Sequence, residues 1–77
     1  TTNNMEKNFN FNNGETVNIK KDFNSENNTF LTQMVFIGED QEEKQATVSF
    51  QTEEERDTMF ENYTIESAEG FANFIRG

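Results

Sequence analysis

The chain contains no cysteine and no histidine. Without cysteine there is no disulfide framework, no thiolate metal site and no cysteine nucleophile. A secreted domain this short normally depends on such a staple, so a reducing, cytoplasmic setting is expected. Without histidine the commonest general acid/base and the usual neutral metal ligand are missing. Bases are scarce as well: six Lys and Arg stand against fifteen Asp and Glu, a formal net charge of −9. Such a chain repels nucleic acid, anionic lipid and acidic substrates, so the partner it suits is a basic protein surface, and neither a nucleic acid directly nor a membrane. No apolar run approaches the ~20 residues that cross a bilayer, and no basic segment followed by an apolar one marks a signal peptide.

Apolar residues make up 31% of the 77, low enough to suggest disorder in a chain this charged, were it not for nine phenylalanines. A few large aromatics build a small core. At this length one domain is expected, with little interior left for a ligand cavity. Residues 1–4, ahead of Met5, are read as a frayed or foreign end, and 5–77 as the domain. The charge is unevenly placed: residues 1–38 hold four acids and three bases, residues 39–77 eleven acids and three bases. The second half sets the sign of the field.

Phe9 and Phe11 alternate with Asn8, Asn10 and Asn12, the period of a strand with one wet face. Asn12-Asn13-Gly14 supplies residues that tolerate positive φ, and Val17, Ile19 and Phe23 resume the alternation beyond it, which predicts a hairpin. The turn formers from Asn24 to Asn28 predict a surface loop. From Thr29 to Ile37 both parities are apolar, with Phe30, Met34 and Phe36 against Leu31, Val35 and Ile37, a pattern that predicts a central strand covered on both faces. Gly38 and the polar run Glu39-Asp40-Gln41-Glu42-Glu43 predict a hairpin tip, followed by a strand in which Ala46, Val48 and Phe50 alternate with Thr47, Ser49 and Gln51.

Thr52-Glu53-Glu54-Glu55 is a capping-box pattern that predicts a helix running to about Tyr63, its acidic first turn suited to the positive end of the helix dipole. Ile65, Ala68, Phe71, Ala72 and Ile75 predict a second helix, for which Ser67 is a candidate cap. The expected architecture is α+β: an antiparallel four-stranded meander, order β-β-β-β-α-α, packed against one or two C-terminal helices. Most phenylalanines, Phe74 among them, fall at core parity.

No catalytic motif is present. There is no Gly-rich phosphate loop, no Gly-x-Ser-x-Gly and no dinucleotide fingerprint, and paired carboxylates need a cleft that a domain this small rarely provides. The acids of the hairpin tip lack the alternating ligands, central Gly and terminal Glu of an EF-hand. No enzyme, cofactor or metal site is expected. What remains is surface charge. Glu39, Asp40, Glu42 and Glu43 at the tip and Glu53, Glu54 and Asp57 on the first helix are the candidate partner-binding residues. If tip and helix lie close together, they and Glu61, Glu66 or Glu69 would present a field like that of nucleic-acid phosphates. Acids that only maintain solubility and serve the helix dipole are the competing reading.

In its size, its lack of Cys and His, its short meander followed by helices and its acidic runs Glu39-Asp40-Gln41-Glu42-Glu43 and Thr52-Glu53-Glu54-Glu55-Arg56-Asp57, the chain resembles the small acidic inhibitors encoded by bacteriophages, the anti-CRISPR proteins and anti-restriction DNA mimics. The likeness is one of class and covers the chain as a whole. It implies a protein acting in the cytoplasm of a bacterial host, occupying the nucleic-acid-binding surface of a defence nuclease such as the site where a Cas effector reads its target-adjacent motif. The carboxylates would pair there with Arg and Lys that normally hold phosphate. From another class comes a module that associates with itself or another protein through a strand edge or the apolar faces of the last helices, with Phe71, Phe74 and Ile75 at the interface.

Overall fold

The computed structural model describes residues 5–77, so the expectation for residues 1–4 lies outside the described residues. Four strands, β1 (Glu6–Asn10), β2 (Thr16–Asn24), β3 (Thr29–Ile37) and β4 (Glu43–Phe50), form one antiparallel sheet in the order β1-β2-β3-β4, and two helices follow, α1 (Glu53–Glu61) and α2 (Ile65–Arg76). The α+β meander read from periodicity is the fold found. The molecule measures 18 Å in its shortest dimension, the depth of one sheet carrying one layer of helix.

Alternation assigns each strand residue to a face. Lys7 and Phe9 of β1, Val17, Ile19 and Lys21 of β2, Phe30, Thr32, Met34 and Phe36 of β3, and Ala46, Val48 and Phe50 of β4 share the helix-covered side, as the register Val17↔Phe36, Ile19↔Met34↔Ala46 and Thr32↔Val48 requires. Val17, Ile19, Met34 and Phe36 are buried there against Phe60, Tyr63, Ala68 and Ala72. The small Ala68 and Ala72 let α2 approach the sheet closely, while Phe60 supplies the bulk under α1.

Turns follow local chemistry. Gly14 takes φ +92°, and the loop closes with Phe11 N–H donating to Glu15 O at 2.9 Å and Gly14 N–H to Phe11 O at 3.1 Å. Thr52 caps α1: its side chain accepts from Glu55 N–H at 3.1 Å, and the Glu55 carboxylate accepts from Thr52 N–H at 3.3 Å. The cap of α2 is Thr64, not Ser67. Ser67 sits three residues in and accepts from Thr64 N–H at 3.2 Å, so the residue expected to begin the helix instead completes its capping box.

The expectation that β3 is covered on both faces is corrected. Leu31, Val35 and Ile37 are half-buried on the side of the sheet that carries no helix. Two helices of nine and twelve residues cover one face of a four-stranded sheet and leave none to cover the other. The stripe is one strand wide because its neighbours in register are polar: Asp22 and Ser49 flank Leu31, Asn18 and Gln45 flank Val35, and Thr16 and Glu43 flank Ile37.

Candidate functional site

Around α1 the charged side chains divide by sign. Lys7, on the helix-covered face of β1, sends its ammonium to the end of α1 and donates to Phe60 O at 2.8 Å, Tyr63 O at 3.2 Å and Glu61 O at 3.4 Å. No basic residue occupies the last turn of α1, so a lysine from the sheet satisfies the carbonyls that a helix leaves open and meets the negative end of its dipole. Its stem lies along the core, with the ammonium 4.8 Å from the centroid of the buried Phe60 ring. Lys21, from the same face of β2, lies 5.1 Å from that centroid and pairs with Asp57 at 3.4 Å.

Arg56 is buried although it lies on a helix rich in acids. Its guanidinium donates to Asp22 O at 2.9 Å and to Asp57 at 3.1 Å, reaches Glu53 at 3.4 Å and stands 5.3 Å from the Phe30 ring centroid. This one side chain ties α1 to the β2–β3 end of the sheet. Arg76, in the last turn of α2, pairs with the buried carboxylate of Glu15 and with Asn73. Lys7, Lys21 and Arg56 are held by internal contacts and Arg76, although exposed, is paired with Glu15, which leaves Lys20 and Lys44 as the exposed cations without such a contact among the described residues.

The carboxylates of α1 face the other way. Glu53, Glu54, Asp57 and Glu61 follow one another along the outer face of α1 and, with Thr58 and Asn62, line a shallow hollow there. The spacing i, i+4, i+8 of Glu53, Asp57 and Glu61 places them ~6 Å apart along the helix axis. Within this row Asp57 is different. Packing around it would push its carboxyl up, but the hydrogen bond and charge of Arg56 and the charge of Lys21 outweigh that, and the group is held below its ordinary value. Asp57 therefore anchors two internal cations and offers less to a partner than Glu54 or Glu61.

The tip acids lie elsewhere. Glu39, Asp40 and Glu42 occupy the β3–β4 turn and Glu43 begins β4, whereas α1 starts beyond the other end of that strand, roughly 23 Å away by strand rise. The tip faces the C-terminal end of α2, where Glu39, Asp40 and Glu42 share a hollow with Glu15, Lys44 and Arg76. Asp40 is used by the turn itself, accepting from Glu42 N–H at 3.0 Å. Glu66 and Glu69 lie beside Asn10, Phe11 and Asn12, at the β1–β2 turn. The structure thus gathers Glu53, Glu54 and Asp57, adds Glu61, and sets Glu39, Asp40, Glu42 and Glu43 apart from them.

The aromatic side chains divide similarly. Phe36 and Phe60 are buried, and Phe9, Phe11 and Phe71 pack partly against the core. Phe74, read as core by its parity, is 79% exposed, because Ala68 and Ala72 form the face that α2 turns to the sheet. Phe71 and Ile75 border that face and are half-buried, so of the three apolar residues expected at an interface Phe74 alone stands free. Lys7 and Lys21 were not legible as partners of α1, nor Asp22 as the sheet partner of Arg56. The signal that could have found the first two is parity, since each falls on an inward-facing position of its strand.

Comparison with protein-family models, with curated proteins and with solved structures finds no match to this chain.

Proposed function

We propose that the chain is a non-enzymatic acidic binding protein that covers a basic, nucleic-acid-binding surface on another protein, in the manner of a phage-encoded inhibitor of a bacterial defence nuclease. The observation that carries this reading is the separation of sign on α1. Its outer face offers Glu53, Glu54 and Glu61, while the lysines and the arginine that would neutralise it are drawn beneath the helix and held there. The same burial that lets Lys7 and Arg56 hold α1 in place leaves its outer face without a counter-charge, and a basic groove meeting this face finds a row of carboxylates. The anti-CRISPR kind of target rests on the resemblance of class and names the partner to try first.

The test uses charge reversal at positions that hold nothing else together. Glu54→Lys with Glu61→Lys changes the outer face by four charges and leaves Arg56, Lys21 and Asp57 in place. The wild-type chain, immobilised, is expected to retain nucleic-acid-binding proteins from a bacterial lysate at low salt, and to release them on addition of salt or of competing DNA. The double variant, with unchanged circular dichroism, is expected to bind the captured protein at least about tenfold more weakly. Undiminished binding by the variant, or capture that neither salt nor DNA reverses, excludes phosphate mimicry through α1.

A further inference from the structure

Asn13 alone among the asparagines is followed by glycine. Asparagine is a thermolabile residue. It decays when the amide nitrogen of the next residue attacks its side-chain carbonyl carbon, and a following glycine has no Cβ to obstruct that approach. The pair occupies the exposed turn between β1 and β2, where Gly14 takes φ +92°. Both reactants are tied down there. Gly14 N–H donates to Phe11 O at 3.1 Å, so the nitrogen that would attack keeps its proton in a hydrogen bond. The Asn13 carboxamide is held at both polar atoms: Oδ1 accepts from Glu15 N–H at 3.0 Å, and Nδ2 donates to Glu15 Oε1 at 2.9 Å.

Glu15 is itself buried and is paired with Arg76 in the last turn of α2. A chain of contacts therefore runs from the end of α2 through Glu15 to the side chain of Asn13, and Asn13, Glu15, Glu69 and Arg76 line one hollow there. We propose that Asn13 is a deamidation site held closed by α2, and that its conversion loosens the end of that helix.

When the turn opens, Gly14 N bonds to Asn13 Cγ, the Cγ–Nδ2 bond breaks, and ammonia leaves with the proton given up by Gly14 N–H. Water then opens the cyclic imide at one of its two carbonyls and leaves aspartate or isoaspartate, with nothing oxidised or reduced. The product has no Nδ2–H to offer Glu15 and sets a third carboxylate, beside those of Glu15 and Glu69, around Arg76. Carboxylates sharing one site disfavour one another's charge, so the new group competes with Glu15 for the guanidinium. Isoaspartate also lengthens the main chain by one carbon, in a turn that Phe11 N–H closes on Glu15 O. The site lies at the end of α2, away from the outer face of α1, and is independent of the function proposed above.

Peptide mapping by mass spectrometry, with enzymatic methylation of isoaspartate, reads the rate at each asparagine in the folded chain and in the chain unfolded by urea at the same mildly alkaline pH. In urea Asn13 is expected to convert before any other asparagine. In the folded chain its rate is expected to be at least about tenfold lower, because reaction awaits local opening. Arg76→Gln, with unchanged circular dichroism, is expected to raise the folded rate at least about threefold and to leave the rate in urea unaltered. Arg76→Lys restores a cation and should recover most of the protection. Asn13→Asp, which carries the product's carboxylate from the start, should have a lower thermal midpoint than the wild type. Equal rates in the folded and unfolded chain overturn the proposal, as do protection that Arg76→Gln leaves intact and an Asn13→Asp chain as stable as the wild type.

Discussion

Thr32 sits at the centre of the sheet with no exposed surface, and its hydroxyl has no hydrogen-bond partner among the described residues. A buried hydroxyl without a partner bears a desolvation cost that a methyl group of the same shape does not. Thr32→Val is expected to raise stability by about 1 kcal/mol, measured as a higher urea midpoint at unchanged slope. A loss of stability would place an ordered water on Thr32 Oγ1. Asp57 makes the opposite case, a polar group with more than one partner. Because its folded carboxyl lies below its ordinary value of 3.8, its contribution is fully present above that value and is lost as pH falls through the lower, folded one. Urea melts between about pH 2 and 7 should show Asp57→Asn less stable than wild type near neutrality, the gap narrowing below about pH 4. A gap independent of pH would mean that the residue acts by packing and not by charge.

At the scale of elements, α1 depends on the rest of the molecule more than its capping box suggests. Its first turn is self-sufficient, with Thr52 and Glu55 exchanging hydrogen bonds and three glutamates favouring the positive end of the dipole. Its last turn has no cation of its own and borrows Lys7 from β1, 53 residues from Phe60 in sequence. Lys7→Met keeps the buried stem and removes the ammonium, so the expected loss is that of charge-assisted hydrogen bonds, about 1.5–3 kcal/mol, while Lys20→Met on the exposed face should change little. Equal effects at the two positions would show that the carbonyls of Phe60 and Tyr63 are served as well by water. The helix that presents carboxylates outward is thus held at both ends by residues that do not belong to it, Lys7 at one and, through Arg56, the backbone of Asp22 at the other.

For the whole molecule, attraction and repulsion act over different distances. The internal ion pairs close at 3.0–3.4 Å, as in Arg56–Asp57 and Lys21–Asp57, well inside the screening length at any ordinary ionic strength. The repulsion among the hairpin tip, the outer face of α1 and the acids of α2 acts over tens of ångströms, and salt removes it first: the Debye length falls from ~30 Å at 0.01 M to ~8 Å at 0.15 M. Raising the salt over that range is expected to raise the urea midpoint of the dilute chain while weakening its binding to a basic partner. A midpoint that falls would mean that the internal pairs, and not the surface field, dominate the electrostatics of folding.

Much of the fold is legible in the sequence because the signals behind it are local. Alternation in Phe9 to Phe11 and Ala46 to Phe50, the turn at Asn12-Asn13-Gly14 and the pairing of Thr52 with Glu55 each operate within a few residues, and they determine the order of elements and the acidic character of α1. Which residues meet across long separations is another matter, since burial and ion pairing depend on the face an element finally turns inward. Two short helices cover one side of the sheet, so Leu31, Val35 and Ile37 remain on the open face, although their apolarity matches that of the buried parity. Likewise α2 lies on Ala68 and Ala72, leaving Phe74 outside, and Arg76 closes on Glu15 across 61 residues. The sequence alone determined that this protein carries fifteen carboxylates against six bases. Only the tertiary structure decided that three of those bases turn inward and a fourth, Arg76, pairs with Glu15, because an ion pair forms where packing brings its partners within a few ångströms, and no local pattern encodes that meeting.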